Sequence, residues 1–262
     1  MPNYVYSLKN GDGSNRMLLG GKGANLCTMA QSGLPVPPGF ILTTEVCREY
    51  MKNPAIMDAV WDDVKAHVAQ LEKETGKGFN DPKNPLLVSV RSGAPISMPG
   101  MMETILNLGL NDETVKGLAE SSGSKRFAFD SYRRFIQMFS SVVDEVNFDL
   151  FEAALARARA AEGITDAKQD YKISAENLEK LIAEYKEIYK KAIGHDFPSD
   201  PWIQLRRAIE AVFKSWNIPR AITYRKINKI DDSLGTAVNV ITMAFGNLGD
   251  DCGTGVCFTR NP

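Results

Sequence analysis

Segments with strand-forming character occur near both ends of this sequence, and a long stretch without them separates the two groups. The runs are short and rich in β-branched or aromatic residues, and they lie at residues 40–44, 86–91, 237–243 and 256–259. Between residues 112 and 197 no convincing strand occurs, and apolar residues recur at helical spacing. Any sheet must therefore be completed across a helical insertion, which predicts an α+β fold.

The domain organisation follows from the same pattern. Residues 1–111 and 198–243 are expected to form one mixed α/β subdomain, with residues 112–197 as the helical insertion. Amphipathic helices are predicted where apolar residues repeat at intervals of three and four, over residues 57–71, 127–146, 178–192 and 202–216. Ser174 is the expected N-cap of the third helix, and Gly194 lies just past its end.

Charge and composition exclude several function classes. Lys plus Arg number 31 and Asp plus Glu number 32, so the net charge of −1 gives no general attraction to nucleic acid or to an anionic membrane. The N-terminus lacks the pattern of a signal peptide and no apolar run reaches about 18 residues, which predicts a protein that is not secreted and lies in the cytoplasm or an organelle lumen. The four cysteines form no Cys-x-x-Cys pair, and His67 and His195 are expected at the surface, so no metal site is predicted.

A glycine-rich segment around Lys22 is the first candidate for chemistry. The sequence Gly20-Gly21-Lys22-Gly23 resembles the end of a Walker loop, but Arg16 and Gly23 occupy positions where that motif requires Gly and Ser or Thr. A lysine beside bare backbone N–H groups, at a possible helix start, suits a polyphosphate. A glycine turn with a solvated lysine is the alternative interpretation.

The second candidate is an arginine at the end of a predicted strand, followed by a methionine-rich loop. Arg91 can offer a planar guanidinium to phosphate oxygens. Pro99-Gly100 then marks a turn among three methionines. These methionines either fill irregular gaps in the core or belong to a loop that folds over a ligand, with Gly100 admitting main-chain N–H groups to its oxygens.

Two weaker signals remain. Gly253-Thr254-Gly255 precedes a predicted strand, and a hairpin turn is its commoner explanation. Arg133 and Arg134 fall on the polar side of the helix predicted from residue 127, where solvated charges are expected.

Taken together, the longer motifs resemble the N-terminal nucleotide-binding region of the pyruvate phosphate dikinase family. The resemblance covers nearly the whole chain and is carried by segments 20–26, 89–94, 97–109, 127–139, 235–240, 253–256 and 258–262. It implies an ATP-grasp-like nucleotide-binding domain. Members of the family transfer the β-phosphoryl group of ATP to a histidine on a separate domain, with orthophosphate as the other acceptor, and the phosphohistidine converts pyruvate to phosphoenolpyruvate on a third domain.

The resemblance also assigns roles to particular residues of this chain. It implies catalytic contacts of Lys22 and Arg91 with the ATP phosphates, and it implies that Arg134 faces the phosphohistidine domain. It further implies nucleotide contacts from two loops, which involve Gly100, Met101, Met102, Thr104, Gly253, Thr254 and Gly255.

Departures from the family pattern define what this chain is expected to lack. The magnesium ligands of the family are expected beyond residue 262, so residues 244–262 are expected to be the incomplete start of a second ATP-grasp subdomain and the domain to be C-terminally truncated. The segment that carries the phosphoryl group is expected elsewhere too, so residues 1–262 alone are expected to bind ATP without completing the reaction. At the position of Ile241 the resemblance implies a glutamine in many relatives, so the polar contact of such a side chain near the nucleotide is in question here.

The parent protein is expected to be a homo-oligomer. Two alternatives remain open from the residues and the resemblance: a fragment similar to phosphoenolpyruvate synthase, and a non-catalytic docking or nucleotide-binding module. The methionine-rich loop disfavours the first of them.

Overall fold

The fold is an open antiparallel sheet with helices packed against it. A computed structural model describes residues 3–249 and 251–257. Five strands are present in the described residues: β1 (Val5–Ser7), β2 (Gly39–Leu42), β3 (Val88–Gly93), β4 (Thr104–Leu108) and β5 (Ala237–Thr242). The helices are α1 (Arg16–Gln31), α2 (Thr44–Lys52), α3 (Ile56–Thr75), α4 (Thr114–Ser122), α5 (Lys125–Val143), α6 (Phe148–Ala161), α7 (Ala175–Ile193), α8 (Pro201–Lys214) and α9 (Pro219–Asn228). The predicted α+β class is confirmed.

The last strand in the sequence occupies the centre of the sheet. The strand order is β1-β2-β5-β3-β4, and every pairing is antiparallel. Gly39 pairs with Ile241 on one side of β5, and Arg91 pairs with Asn239 on the other. The sheet is therefore completed only when β5 returns from beyond the helical block.

Sequence patterns located three of the five strands. The run at 86–91 begins pairing two residues later, at Val88, and continues to Gly93. Strand β1 has only three residues, which is too short a run to be recognised. Strand β4 has five, but it follows the methionine-rich segment without a turn residue directly before it. Of the run at 256–259, Val256 and Cys257 are irregular in the structure, and Phe258 and Thr259 lie outside the described residues.

Residues 112–197 are all described, and they contain four α-helices, a 3-10 turn (Ala167–Lys172) and no strand. The Ser174 hydroxyl accepts from Asn177 N at 3.3 Å as the N-cap of α7, and Gly194 ends the helix with φ +89°. Helix α5 packs against α4 and α7, and also against β4 of the sheet.

One expectation about α5 is wrong: Arg133 is buried rather than solvated, with 4% of its surface exposed. Its Nη2 lies 2.8 Å from Asp130 Oδ1, and Asp130 Oδ2 accepts from Arg134 Nε at 2.9 Å. The sheet covers α5 on one side, and α6 and α7 cover it on another. The face of α5 that remains exposed to solvent is therefore narrower than the sequence pattern predicts. Of the two arginines, only Arg134 remains at the surface, with 58% of its side chain exposed.

Helix α1 lies so close to the ends of β3 and β5 that its backbone directly contacts the backbone at the end of β3. The helix is broken at Gly20, where φ is +70° and ψ is +164°, a conformation open essentially to glycine alone. A Cβ at Gly20 would lie 1.6 Å from the carbonyl oxygen of Gly93. Gly21 N donates to Ala94 O at 2.9 Å, so the segment after the break is bonded directly to the chain beyond β3.

We predict that Gly20→Ala destabilises the domain by at least about 3 kcal/mol, since a backbone conformation open essentially to glycine alone and a backbone clash act together. Gly163 is the matched control, because it has the same φ of +70° and no atom lies within 4 Å of the place that a Cβ would take. Gly163→Ala should cost only about 1–2 kcal/mol. Urea denaturation of both variants measures the difference, and equal losses would contradict the close approach of α1 to β3.

The division into a mixed subdomain and a helical insertion stays a prediction. Helix α7 packs mainly on α5 and α6, within the insertion, but the buried apolar core is continuous with that of the sheet. We predict that residues 112–197 open as a separate cooperative unit, and native-state hydrogen exchange measures this. If their amides open in step with those of β3 under all denaturant conditions, the division is wrong.

Candidate functional site

Lys22 lies in the first turn after the break in α1, above the end of β3. Its Nζ donates to the carbonyl oxygen of Ser92 at 3.2 Å. Gly23 fits tightly against the sheet, because a Cβ there would lie 2.8 Å from Ile41 Cδ1 and 3.0 Å from Asn239 Oδ1. The glycines on both sides of Lys22 thus let the helix approach the sheet and fix where the lysine stands.

Arg91 projects from the exposed position of β3, in a strand that is otherwise buried. It pairs with Thr104 on β4 and with Asn239 on β5. Within the described residues, neither Arg91 nor Lys22 forms an ion pair with a carboxylate. The two cations are therefore not balanced by carboxylates of this part of the chain.

The electrostatic environment of Lys22 reflects that imbalance. Although the residue is exposed overall, its ammonium group is partly withdrawn from water, and this desolvation lowers its pKa below the usual value. The positive charge of Arg91 lowers the same pKa further. An anion between the two side chains would relieve both effects, since it would favour the charged form of the lysine.

A cavity of about 530 Å³ lies between Lys22 and the loop that joins β3 to β4. We call residues 97–103 of this connection the methionine loop. The cavity is lined by Arg16, Gly21, Asn25, Ser92, residues 94–100, Met102 and Thr104 in addition to Lys22. Gly100 is exposed at the tip of the loop with φ +70°, so the backbone turns sharply beside the open space.

The methionines of this loop divide between the two roles considered for them. Met98 is 6% exposed and belongs to a small apolar cluster with Ala94, Trp216, Ala221 and Ile230. Met101 and Met102 pack against the same cluster from outside. Met98 and Met102 also line the cavity. The loop therefore has an apolar underside that anchors it and an upper side that faces the cavity.

A second cavity, of about 550 Å³, adjoins the other side of Lys22. Its apolar wall is formed by Leu26, Met29, Leu106, Ile241 and Met243. Arg91 lines this cavity as well, and Lys22 lines both. An apolar cavity beside two cations suits a ligand that joins a flat ring to a polyphosphate.

Asn239 is a residue of this site that the sequence patterns did not single out. It is 1% exposed, its Nδ2 donates to Arg91 O at 3.4 Å, and its buried Oδ1 has no hydrogen-bond partner in the structure. The sequence feature that could have identified Asn239 is its position as an amide side chain within the run of β-branched residues at 237–243. Asn25, which accepts from Arg16 Nη2 at 3.2 Å, was likewise missed.

Other residues singled out in the sequence lie apart from Lys22. Gly253, Thr254 and Gly255 are exposed and line neither of its two cavities, and Thr254 instead packs against the turn at Gly246. Their contact with a nucleotide stays a prediction.

The two histidines differ in their surroundings. The ring of His67 lies 5.5 Å from that of Phe40, so this residue is only partly exposed rather than fully at the surface. His195 is exposed, with its ring 5.7 Å from that of Tyr189.

The donor groups of the site do not form a metal centre. Neither cavity beside Lys22 is lined by a carboxylate from the described residues. In residues 3–249 and 251–257, no group of three or more His, Cys, Asp or Glu side chains could hold a metal ion. The described residues of the site therefore do not suit magnesium.

Among the helices of residues 3–249 and 251–257, none combines the length and the apolar composition that a membrane span requires.

The fold and the site define a class of protein. Lys22 and Arg91 have no carboxylate partner in the described residues, and they lie beside a glycine-broken helix, a methionine-rich loop and an apolar cavity. This combination is that of a nucleotide-binding domain. A family model described as the pyruvate phosphate dikinase AMP/ATP-binding domain matches residues 16–62 and 56–262. The chain belongs to this family.

Curated relatives agree with the family match. The chain is 52% identical over 253 residues to pyruvate, phosphate dikinase 2 of Oryza sativa subsp. japonica, 50% identical over 264 residues to pyruvate, phosphate dikinase of Clostridium symbiosum, and 52% identical over 247 residues to that of Giardia intestinalis. The matches cover 96%, 100% and 94% of this chain but only 28%, 30% and 28% of the relatives. The chain thus spans less than a third of their length.

The lowered pKa of Lys22 predicts how ATP affinity depends on pH. Only the ammonium form of Lys22 attracts phosphate. The affinity for ATP is therefore highest below the pKa that Lys22 has in the ATP-free domain, and it falls as the pH rises through that value. Calorimetric titrations that extend upward toward the ordinary lysine pKa of about 10.4 should show the fall begin below that value, because the pKa of Lys22 is lowered.

Two variants provide the controls for this measurement. Lys22→Arg should keep its affinity throughout the same range, since the guanidinium stays charged. Lys22→Met should bind ATP about 10- to 150-fold more weakly than the charged wild-type domain, as expected for the loss of a charge-assisted contact. An equal alkaline fall in Lys22→Arg would exclude Lys22 as the titrating group.

Proposed function

We propose that this domain binds ATP across the two cavities that meet at Lys22. The adenine ring lies in the apolar cavity beside Leu26, Met29 and Ile241, and the triphosphate passes Lys22 and Arg91 toward the methionine loop. The single observation that carries the proposal is the pair of cations without a carboxylate partner in the described residues, of which Lys22 lines both cavities and Arg91 lines the apolar one.

The finer architecture is also part of the proposal. We assign an ATP-grasp arrangement, in which residues 3–243 supply one wall of the nucleotide site and a further subdomain supplies the other. The family match supports this assignment, since the matched family is described as an AMP/ATP-binding domain. Magnesium and its carboxylate ligands would then come from the second wall.

In the parent enzyme, the bound ATP serves a dikinase reaction. ATP, orthophosphate and pyruvate become AMP, pyrophosphate and phosphoenolpyruvate: the β-phosphoryl group moves to a histidine of another domain and then to pyruvate, and orthophosphate takes the γ-phosphoryl group. The names of the relatives support this reaction. Because the chain spans less than a third of their length, the later steps are assigned to other parts of the parent.

The residues of this chain contribute binding and charge stabilisation to the first step. Phosphoryl transfer spreads negative charge over oxygens that must be held in line, so fixed cations and amides lower its barrier. Lys22 and Arg91 are held by the helix break and by the strand, which keeps the distance between them set before ATP arrives. The methionine loop excludes water above the phosphates and offers main-chain N–H groups through its turn at Gly100.

Arg134 is proposed to receive the partner domain. Its Nε donates to Asp130, and 58% of its side chain is exposed. This geometry leaves the two terminal nitrogens for a bidentate contact with a phosphoryl group.

Two alternative functions are separated by simple measurements. A phosphoenolpyruvate synthase would use water in place of orthophosphate, so phosphate-dependent pyrophosphate formation by the complete parent protein excludes it. A docking module without nucleotide would show no ATP binding that depends on Lys22 or Arg91. The relatives, which are named as dikinases, favour the proposed function over both.

We predict that Arg91→Ala weakens ATP binding by about 1.5–3 kcal/mol and leaves adenosine binding almost unchanged, because the guanidinium contacts phosphate and not the ring. Calorimetry with both ligands measures the effect. Arg48 is the matched control, since it is an arginine of α2 that pairs with Glu45 and lines neither cavity. Equal losses for ATP and adenosine in Arg91→Ala would mean that Arg91 has a structural role only.

A further inference from the structure

The methionine loop is held from one side by an arginine of α9. Arg220 Nε donates to the carbonyl oxygen of Met101 at 3.3 Å, and Arg220 Nη2 donates to the carboxylate of Glu103. Both acceptors belong to the loop, whereas Arg220 lies 119 and 117 positions later in the sequence. A single side chain thus connects two segments that are otherwise remote in the chain.

The position of Arg220 is not explained by α9 itself. The helix begins at Pro219, which places Arg220 in the first turn, and no side chain caps this end. The positive end of the helix dipole disfavours a cation there. The contacts with Met101 and Glu103 offset that disadvantage, since both are charge-assisted hydrogen bonds.

The tip of the loop has little other support among the described residues. Met98 is anchored from below in the apolar cluster with Trp216 and Ala221, and Met101 N donates to Met98 O at 3.2 Å. Gly100 between them is exposed, and no atom lies within 4 Å of where its Cβ would be. After the tip, Met101 and Met102 pack against the same cluster, and Glu103 N donates to Ser215 Oγ at 3.4 Å. The course of the exposed tip therefore depends on these contacts from below and on Arg220 from the side.

We propose that Arg220 is a positioning residue that fixes the methionine loop over the cavity beside Lys22. It does not line that cavity, so it acts through the backbone at Met101 and through Glu103. The identity of the ligand rests on the proposed function, but the effect of Arg220 on the loop can be measured without any ligand.

The test compares three variants by hydrogen exchange of the ligand-free domain. In Arg220→Ala, amide exchange in residues 97–103 should rise roughly fivefold to tenfold, as expected when the contacts with Met101 and Glu103 are both lost and each is weakened by solvent. Arg220→Lys should restore part of the protection, because an ammonium can reach Glu103 but cannot bond to both acceptors as the guanidinium does. Arg157→Ala is the matched control, since Arg157 forms an exposed pair with Glu184 between α6 and α7 and should leave the loop unchanged.

Ligand binding provides the second readout. ATP affinity should fall about fivefold in Arg220→Ala, since phosphates lose ordered amides, and adenosine affinity should stay the same. The positioning role would be overturned if amide exchange in the loop stayed unchanged in Arg220→Ala. It would also be overturned if the amides of β3 exchanged faster together with those of the loop, or if ATP and adenosine lost affinity equally. If the wild-type domain binds no ATP, the proposed function is wrong, and the exchange comparison alone still decides the role of Arg220.

Discussion

The close approach of α1 to the sheet is the constraint on which the site depends. Glycine at position 20 removes the side chain that would meet Gly93 O, and glycine at position 23 does the same against Ile41 and Asn239. With these contacts in place, Lys22 reaches the end of β3 and stands near Arg91. A larger residue at either glycine would move the helix outward and separate the lysine from the strand that carries the second cation.

The arrangement of the site favours a bound ligand and destabilises the ligand-free domain. Two like charges lie close together without a carboxylate from the described residues, and Asn239 Oδ1 is buried without a hydrogen-bond partner. Each feature is unfavourable in the empty domain, because like charges repel and a buried polar atom loses its water. A bound polyphosphate removes the repulsion between Lys22 and Arg91. Part of its binding energy therefore comes from relief of a repulsion that is already present in the empty domain.

Local patterns pointed to residues whose surroundings are determined by their immediate neighbours in the sequence, although the roles of Lys22 and Arg91 stay predictions. Lys22 among glycines, Arg91 at a strand end and the caps of α7 all lie in short motifs with a clear physical meaning. Arg133, Asn239 and Arg220 were not predictable in this way, because burial beneath α6 and α7, pairing across β5 and contact with a loop more than a hundred positions away depend on the assembled chain. Strand β1 was missed because it is short, and β4 because no turn residue separates it from the methionine loop; both take their conformation from their partners.

The place of β5 in the sheet has a consequence for how the protein is made. Strands β1 to β4 leave the ribosome well before β5, yet β5 lies between β2 and β3 and pairs with both. Until residues 237–242 emerge, the nascent chain holds two hairpin-like halves with open edges and a gap between them. The helices of residues 112–197 are complete in that interval, and α5 is already able to cover β4. Early helix docking would thus protect one half of the unfinished sheet from misassembly while its central strand is still being synthesised.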